Sequence, residues 1–207
     1  MRDAKAATRG GWRVPAGLIG LGVVPLVAGG MRMVELAGGP VGMPESAASG
    51  MPVPLVSHIL CVTAYTVLGA FQFVPRLRGR GGNGWHRRVG RGLVGFGLVA
   101  AFTGVWMAVR PEDGWLLVGI RVGFGTAMAV CIVLGFAAIR RREVARHRAW
   151  MIRGYAIGLG AGTQAFTQAL WVSAVGVPGE SAKALLLGAG WVINVVVAEW
   201  VVRRGAR

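Results

Sequence analysis

Apolar residues run along this chain in six long stretches, separated by short segments that hold most of the charge. The stretches cover about 15–36, 53–74, 90–109, 115–139, 150–175 and 182–202, each near the length of about 20 residues that a helix needs to cross the hydrocarbon of a bilayer. Backbone amides have no water to bond with in lipid, so stretches of this kind are expected to be helices. The in/out alternation of a membrane barrel is absent. The pattern predicts an all-α, polytopic transmembrane helix bundle of about six spans, built as a single integral membrane domain over 1–207. Pro25 marks a point where the first helix is expected to kink.

The charges give the bundle a direction. Arg2, Lys5, Arg9 and Arg13 precede the first stretch. Arg76, Arg78, Arg80, Arg87, Arg88 and Arg91 lie between the second and third, and Arg140, Arg141, Arg142, Arg146, Arg148 and Arg153 between the fourth and fifth. Arg203, Arg204 and Arg207 close the chain. That places 19 basic residues on one side and leaves Arg32, Arg110, Arg121 and Lys183 on the other. Positive loops stay in the cytoplasm, so both termini are expected there, in the inner membrane of a bacterium. Glu35, Glu45, Glu112, Asp113 and Glu180 fall on the outer side. The first stretch, with its basic leader and the small residues Ala28, Gly29 and Gly30, also fits a cleavable signal peptide; five spans would then remain and the charge pattern would still hold.

Composition narrows the function. Of 207 residues 54% are hydrophobic and 15% charged, with a mean hydropathy of +0.57; a soluble domain carries about 25% charged residues. The net charge of +15 would suit nucleic acid on a soluble fold, but here the basic residues sit in blocks between apolar runs, so nucleic acid is not expected as a partner and the lipid bilayer is. Cys61 and Cys131 both lie inside apolar runs without a Cys-x-x-Cys pattern, which argues against disulfides or a thiolate zinc site. There is no Gly-x-Ser-x-Gly, no phosphate loop, no His-Glu-x-x-His and no carboxylate pair within a stretch. No large soluble domain is accommodated. The loop from about Ala37 to Pro52 is rich in Gly, Pro, Ser and Ala and reads as a turn-rich connection.

Polar side chains inside the apolar stretches are costly and therefore candidates for function. His58, Tyr65 and Gln72 recur at i, i+7 and i+14, on one stripe of the second helix. On the fifth, Arg153, Gln164, Gln168 and Trp171 share a face with Thr167 beside it, and Gly154, Gly158 and Gly162 form a small-residue ridge that admits a neighbouring helix. Arg121 lies inside the fourth and Asn194 inside the sixth, where Glu199 precedes Arg203 by one turn. The plain alternatives are that Gln and Asn bridge helices, that Arg153 snorkels to the headgroups, and that Trp12, Trp85, Trp115, Trp150 and Trp200 form an aromatic belt at the membrane surfaces. Arg121 is deep enough for either reading.

The three histidines divide by depth. His86 and His147 precede the third and fifth helices on the basic side, whereas His58 is near the outer end of the second. From His58 to Pro75 the helix would rise about 26 Å, so His58 cannot share a metal with the other two. A haem b held by two histidines could use only His86 and His147, with glycines lining its pocket. Their neighbours Arg87, Arg88, Arg146 and Arg148 suit lipid phosphates or another anion better. The candidate outer site is thus His58 with Arg121, and the inner one His86, Arg91, His147 and Arg153.

Three local patterns occur together: His58 with Tyr65, Gly69 and Gln72; His86-Arg87-x-x-Gly90-Arg91; and His147-Arg148-x-Trp150-Met151-Ile152-Arg153. Over roughly His58 to Trp171 the chain resembles the bacterial membrane proteins of domain-of-unknown-function family 2306, the block around His147 being the most specific. The resemblance implies a multi-span membrane protein and supplies no substrate, cofactor or mechanism. The residues leave three functions open: redox or proton-linked work through membrane histidines, with haem b or a quinone; a small-solute transporter; or a non-catalytic subunit of a homo-oligomer or larger membrane complex.

Overall fold

A chain with this many apolar side chains and so few loops must pair its backbone within helices. In the computed structural model, which describes residues 2–40, 52–78, 84–109 and 114–205, the described residues form eight helices and no strand. They are α1 (Arg2–Leu36), α2 (Pro52–Phe71), α3 (Pro75–Arg78), α4 (Trp85–Ala108), α5 (Trp115–Arg140), α6 (Val144–Gly158), α7 (Gly160–Ala174) and α8 (Glu180–Arg204). Five of them, α1, α2, α4, α5 and α8, are each long and apolar enough to cross a membrane. The fifth apolar stretch, about 150–175, is α6 and α7 in succession, interrupted at Leu159. Most of the connection 37–52 and the residues Arg80, Arg110, Glu112, Asp113 and Arg207 lie outside the described residues, as does Glu45.

Helix limits depart from the hydropathy reading where charge, rather than secondary structure, ends an apolar run. The third span was expected from Gly90, but α4 begins at Trp85; His86 and His147 therefore sit in the first turns of α4 and α6, not ahead of them. Arginine is a good helix former, and its long side chain reaches water from a helix end. The second helix stops early: Gln72, Phe73 and Val74 donate three-residue turns to Gly69, Ala70 and Phe71, and Pro75 opens the short α3. Gln72 thus lies just beyond the helix that carries His58 and Tyr65.

The helices run up and down. Trp12 of α1 meets Phe71 of α2 edge-on at 6.0 Å, Gly114 before α5 approaches Glu180 of α8, and Arg148 of α6 lies over Gly205 after α8. These contacts gather the described arginines of α3, α4, α6 and α8 at one end of the bundle, called here the basic end. A core of Tyr65, Leu93, Met128, Ile132 and Tyr155 sits between α2, α4, α5 and α6, with Tyr65 2% and Ile132 0% exposed. The outward side chains are apolar too: Phe102, Leu170, Leu185 and Val196 are all more than half exposed. A soluble protein does not present such a surface over every helix, and lipid satisfies it.

The small-residue ridge works as expected, with two different neighbours. Gly154 and Gly158 receive Tyr65 of α2, whereas Gly162 faces the backbone carbonyl of Leu21 in α1. A side chain at 162 would run into that carbonyl, and main chain cannot rotate aside. Gly162→Val should therefore cost about 1–3 kcal/mol, as overpacking does, measured as loss of helicity on denaturant titration in detergent; an unchanged midpoint would show that α1 does not pack there.

Candidate functional site: an intramembrane cavity at His58

The break at Leu159 sets the geometry of the site. The last carbonyls of a helix need partners from outside it, and in lipid these must be protein groups. Helix α8 supplies them: Asn194 donates from Nδ2 to the Ala156 oxygen at 3.0 Å, and Trp191 from Nε1 to the Ile157 oxygen at 3.1 Å. Thr163, one turn into α7, donates to Oδ1 of Asn194 at 2.6 Å. The lacing continues in the other direction. Gln164 donates to the Leu187 oxygen at 2.9 Å and Thr167 to the Leu186 oxygen at 3.0 Å, while Gln168 turns back to its own helix at the Gln164 oxygen. The bridging role weighed for Gln and Asn is what these bonds describe.

Beside this seam is a cavity of about 570 Å³ between α2, α4, α5, α8 and the α6–α7 junction. Its polar lining consists of His58, Arg121, Gln164, Lys183 and Trp191; the walls are otherwise Ala, Gly, Val, Ile and Met. His58, Arg121 and Lys183 stand near the starts of α2, α5 and α8, so the cavity lies toward the end opposite the arginines. The size falls within the range of small-molecule sites, about 300–1,000 Å³. A second cavity of about 180 Å³ lies toward α1, between Gly22, Thr66 and Gly162, and His58 lines it as well. The imidazole is a shared wall. A further groove along the outside of α5, from Trp115 to Ala127, holds no ionisable side chain.

Hydrogen bonds fix the tautomer of His58. Its Nδ1 lies 3.0 Å from the Ala100 oxygen and 3.1 Å from Oγ1 of Thr103. A carbonyl can only accept, and the Thr103 hydroxyl gives its proton to the Val99 oxygen at 2.7 Å. Nδ1 must therefore carry the hydrogen, which in the neutral ring leaves the lone pair on Nε2. Thr103 had no signal in the sequence beyond its presence in an apolar helix. Trp191 did have one, lying mid-stretch and away from the surface belt of Trp12, Trp85, Trp115, Trp150 and Trp200.

The remaining candidates are dispersed. Tyr65 lies deeper than His58 on the same helix, enclosed between α4, α5 and α6. Gln72, His86 and Arg91 are near the basic end, Arg91 exposed and His86 half-buried. His147 bonds through Nδ1 to the Gly135 oxygen of α5 at 2.8 Å, and Arg148 is exposed over the end of α8. Arg153 does not merely snorkel: its guanidinium holds both carboxylate oxygens of Glu199 on α8, from Nε to Oε1 and from Nη2 to Oε2 at 3.1 Å, and lies 5.0 Å from the Trp150 ring. The sequence pairs Glu199 with Arg203 one turn on, but that guanidinium stays 4.0 Å away and mostly exposed. The outer pair His58 and Arg121 thus shares one cavity, and Gln164 joins it; of the three histidines only His58 lines it.

The glycine-lined space at the centre of the bundle is filled. The glycines facing the bundle interior admit aromatic rings: a Cβ at Gly97 would lie 2.7 Å from the ring of Tyr65, one at Gly158 2.9 Å, and the ring of Tyr155 fills the space at Gly69. Two tyrosines thus fill the glycine-lined space between α2, α4 and α6, whereas His86 and His147 lie in the first turns of α4 and α6.

These features define a class: a polytopic helical membrane protein with a ligand-sized cavity inside the bundle. The model of the predicted membrane protein family DUF2306 matches residues 55–202, and the chain belongs to that family. No curated protein and no solved structure matches the chain.

Asn194 carries the seam. Asn194→Leu removes a buried donor, leaves Thr163 and the Ala156 carbonyl to find other partners, and should cost about 1–3 kcal/mol. Unfolding in detergent measures it; Glu199→Gln, at the partly exposed pair, should cost less.

Proposed function

We propose that this protein binds a small lipid-soluble ligand that exchanges a proton at His58, a quinone being the chemical type that suits the site. The observation that carries the reading is an imidazole with Nδ1–H tied to the α4 backbone, at the wall of a cavity that is apolar except for a few hydrogen-bonding groups. A quinol hydroxyl can donate to Nε2 and leave its proton there, and the indole of Trp191 and the cations Arg121 and Lys183 favour an electron-rich ring or a developing oxyanion. Apolar walls accept the carbon skeleton. The bacterial inner membrane, with both termini in the cytoplasm, is the setting that the arginine distribution supports.

A transporter is the second reading, favoured by one observation: the helix break at Leu159 adjoins the cavity, and interrupted helices recur at transport sites. Gln164, which first suggested solute recognition, is already bonded to Leu187, and no second interrupted span appears among the described residues.

A short-chain water-soluble quinone titrated into purified protein should quench tryptophan fluorescence saturably, with the Trp191→Phe variant losing most of the change. His58→Ala should weaken binding about tenfold, the worth of one good hydrogen bond near 1.4 kcal/mol. Equal affinity for both would remove His58 from the site. The orientation has its own check: a C-terminal tag should be protected from protease in intact spheroplasts, and digestion there would reverse it.

A further inference from the structure

Basic residues gather at one end of the bundle, so the few placed toward the other end need a reason. They are Arg32, Arg110, Arg121 and Lys183. Arg110 lies outside the described residues, and Arg32 is held by Glu35, one turn on, at 2.7 Å. The other two come from different helices, Arg121 from α5 and Lys183 from α8, and both line the cavity of His58. Among the described residues no carboxylate lines that cavity. Glu180, one turn before Lys183, lines a separate pocket with Trp115 and Ser181.

The lining changes character with depth. Lys183 is exposed and Arg121 half-buried, each within the first two turns of its helix. Met128 lies about 10 Å farther along α5, and Trp191 about 12 Å farther along α8. Met128 and Ile157, both buried in the core cluster, form the apolar floor. Cations therefore stand at the mouth and hydrocarbon lines the depth. Two positive charges beside apolar walls attract an anion more strongly than they would in water. Snorkelling to lipid phosphates accounts for either cation singly; their shared place on the lining of one cavity is what points to a ligand.

We infer that this cavity takes a lipophilic acid as its anion, with the charged oxygen between Lys183 and Arg121 and the apolar body toward Met128 and Ile157. An amphiphile in the adjoining leaflet already lies with its head at the surface and its body inward, so it enters without turning over. An ionised oxygen accepts charge-assisted hydrogen bonds from an ammonium and a guanidinium, and these donors separate an acid from an uncharged analogue of similar shape. A hydroxyquinone and a fatty acid both have this chemistry. The inference rests on the reading of this cavity as the site of a lipid-soluble ligand and adds the charge that the ligand carries.

The test titrates the purified full chain, in an uncharged detergent, with two quinones followed by tryptophan quenching. Lawsone is a hydroxynaphthoquinone that is an anion at neutral pH; menadione carries a methyl group in place of the hydroxyl. The ratio of their affinities should fall about tenfold in Lys183→Gln, as loss of a charge-assisted hydrogen bond does, and should hold in Lys183→Arg. Micelle partition is the same for every variant and cancels from the comparison. Arg121→Gln reads the same ratio should Lys183→Gln fail to fold, which far-UV circular dichroism reports. Titration calorimetry with decanoate and decanol repeats the comparison on an aliphatic body. A Lys183-dependent preference for the acid in either pair supports the inference and tells which body the cavity takes. If that preference appears for decanoate while neither quinone binds, the quinone reading falls and the inference stands. Quinones that bind with ratios unchanged in Lys183→Gln, and no such preference for decanoate, overturn the inference and leave the quinone reading in place. An equal fall in Lys183→Arg and Lys183→Gln overturns it as well, and binding of no probe ends both.

Discussion

Everything in this bundle answers to one constraint: a polar group surrounded by hydrocarbon must find its partner in the protein. The interrupted span is the clearest case. Breaking a helix inside a bilayer exposes carbonyls that water would satisfy elsewhere, and here Asn194 and Trp191 of α8 bond those of Ala156 and Ile157. The same bonds hold α8 to the α6–α7 junction, and with α2, α4 and α5 these elements enclose the His58 cavity. A feature that looks like a defect along the chain thus becomes a wall of the site.

Close approach is the second requirement, because lipid offers apolar surfaces no gain in meeting one another. Tyr65 is admitted by glycines on α4 and α6, and α1 reaches α7 through Gly162. Aromatic rings occupying glycine-lined space make the interior near Tyr65 dense, while the region around His58 stays open. The division of the interior into a packed half and a hollow half follows from where the large and small residues fall along the same few helices.

Much of this was legible in the sequence. Long apolar stretches and arginine blocks gave the helical class, the approximate spans and the grouping of basic residues at one end, since these depend on composition over windows of about 20 residues. His58, Arg121 and Gln164 were found because polar atoms in apolar runs are costly wherever they point. What the sequence could not give is which of them meet. Whether Glu199 bonds Arg203 one turn away or Arg153 on another helix depends on helix rotation and tilt, which hydropathy does not encode. Thr103 became a partner of His58 only through packing of α2 on α4, and the break at Leu159 lies among glycines that would be equally at home in a continuous helix. Equating the end of hydropathy with the end of a helix misplaced His86 and His147, whose helices extend into the charged region.

The account turns on the state of one imidazole. Nitrogen NMR of the purified protein labelled with ¹⁵N-histidine, with the His58 signals assigned by their loss in His58→Gln, reads that state directly. At a pH where the ring is neutral, the geometry requires a protonated Nδ1 and an unprotonated Nε2. A ring protonated at Nε2 instead would contradict the bonds to α4 and with them the site built on that histidine.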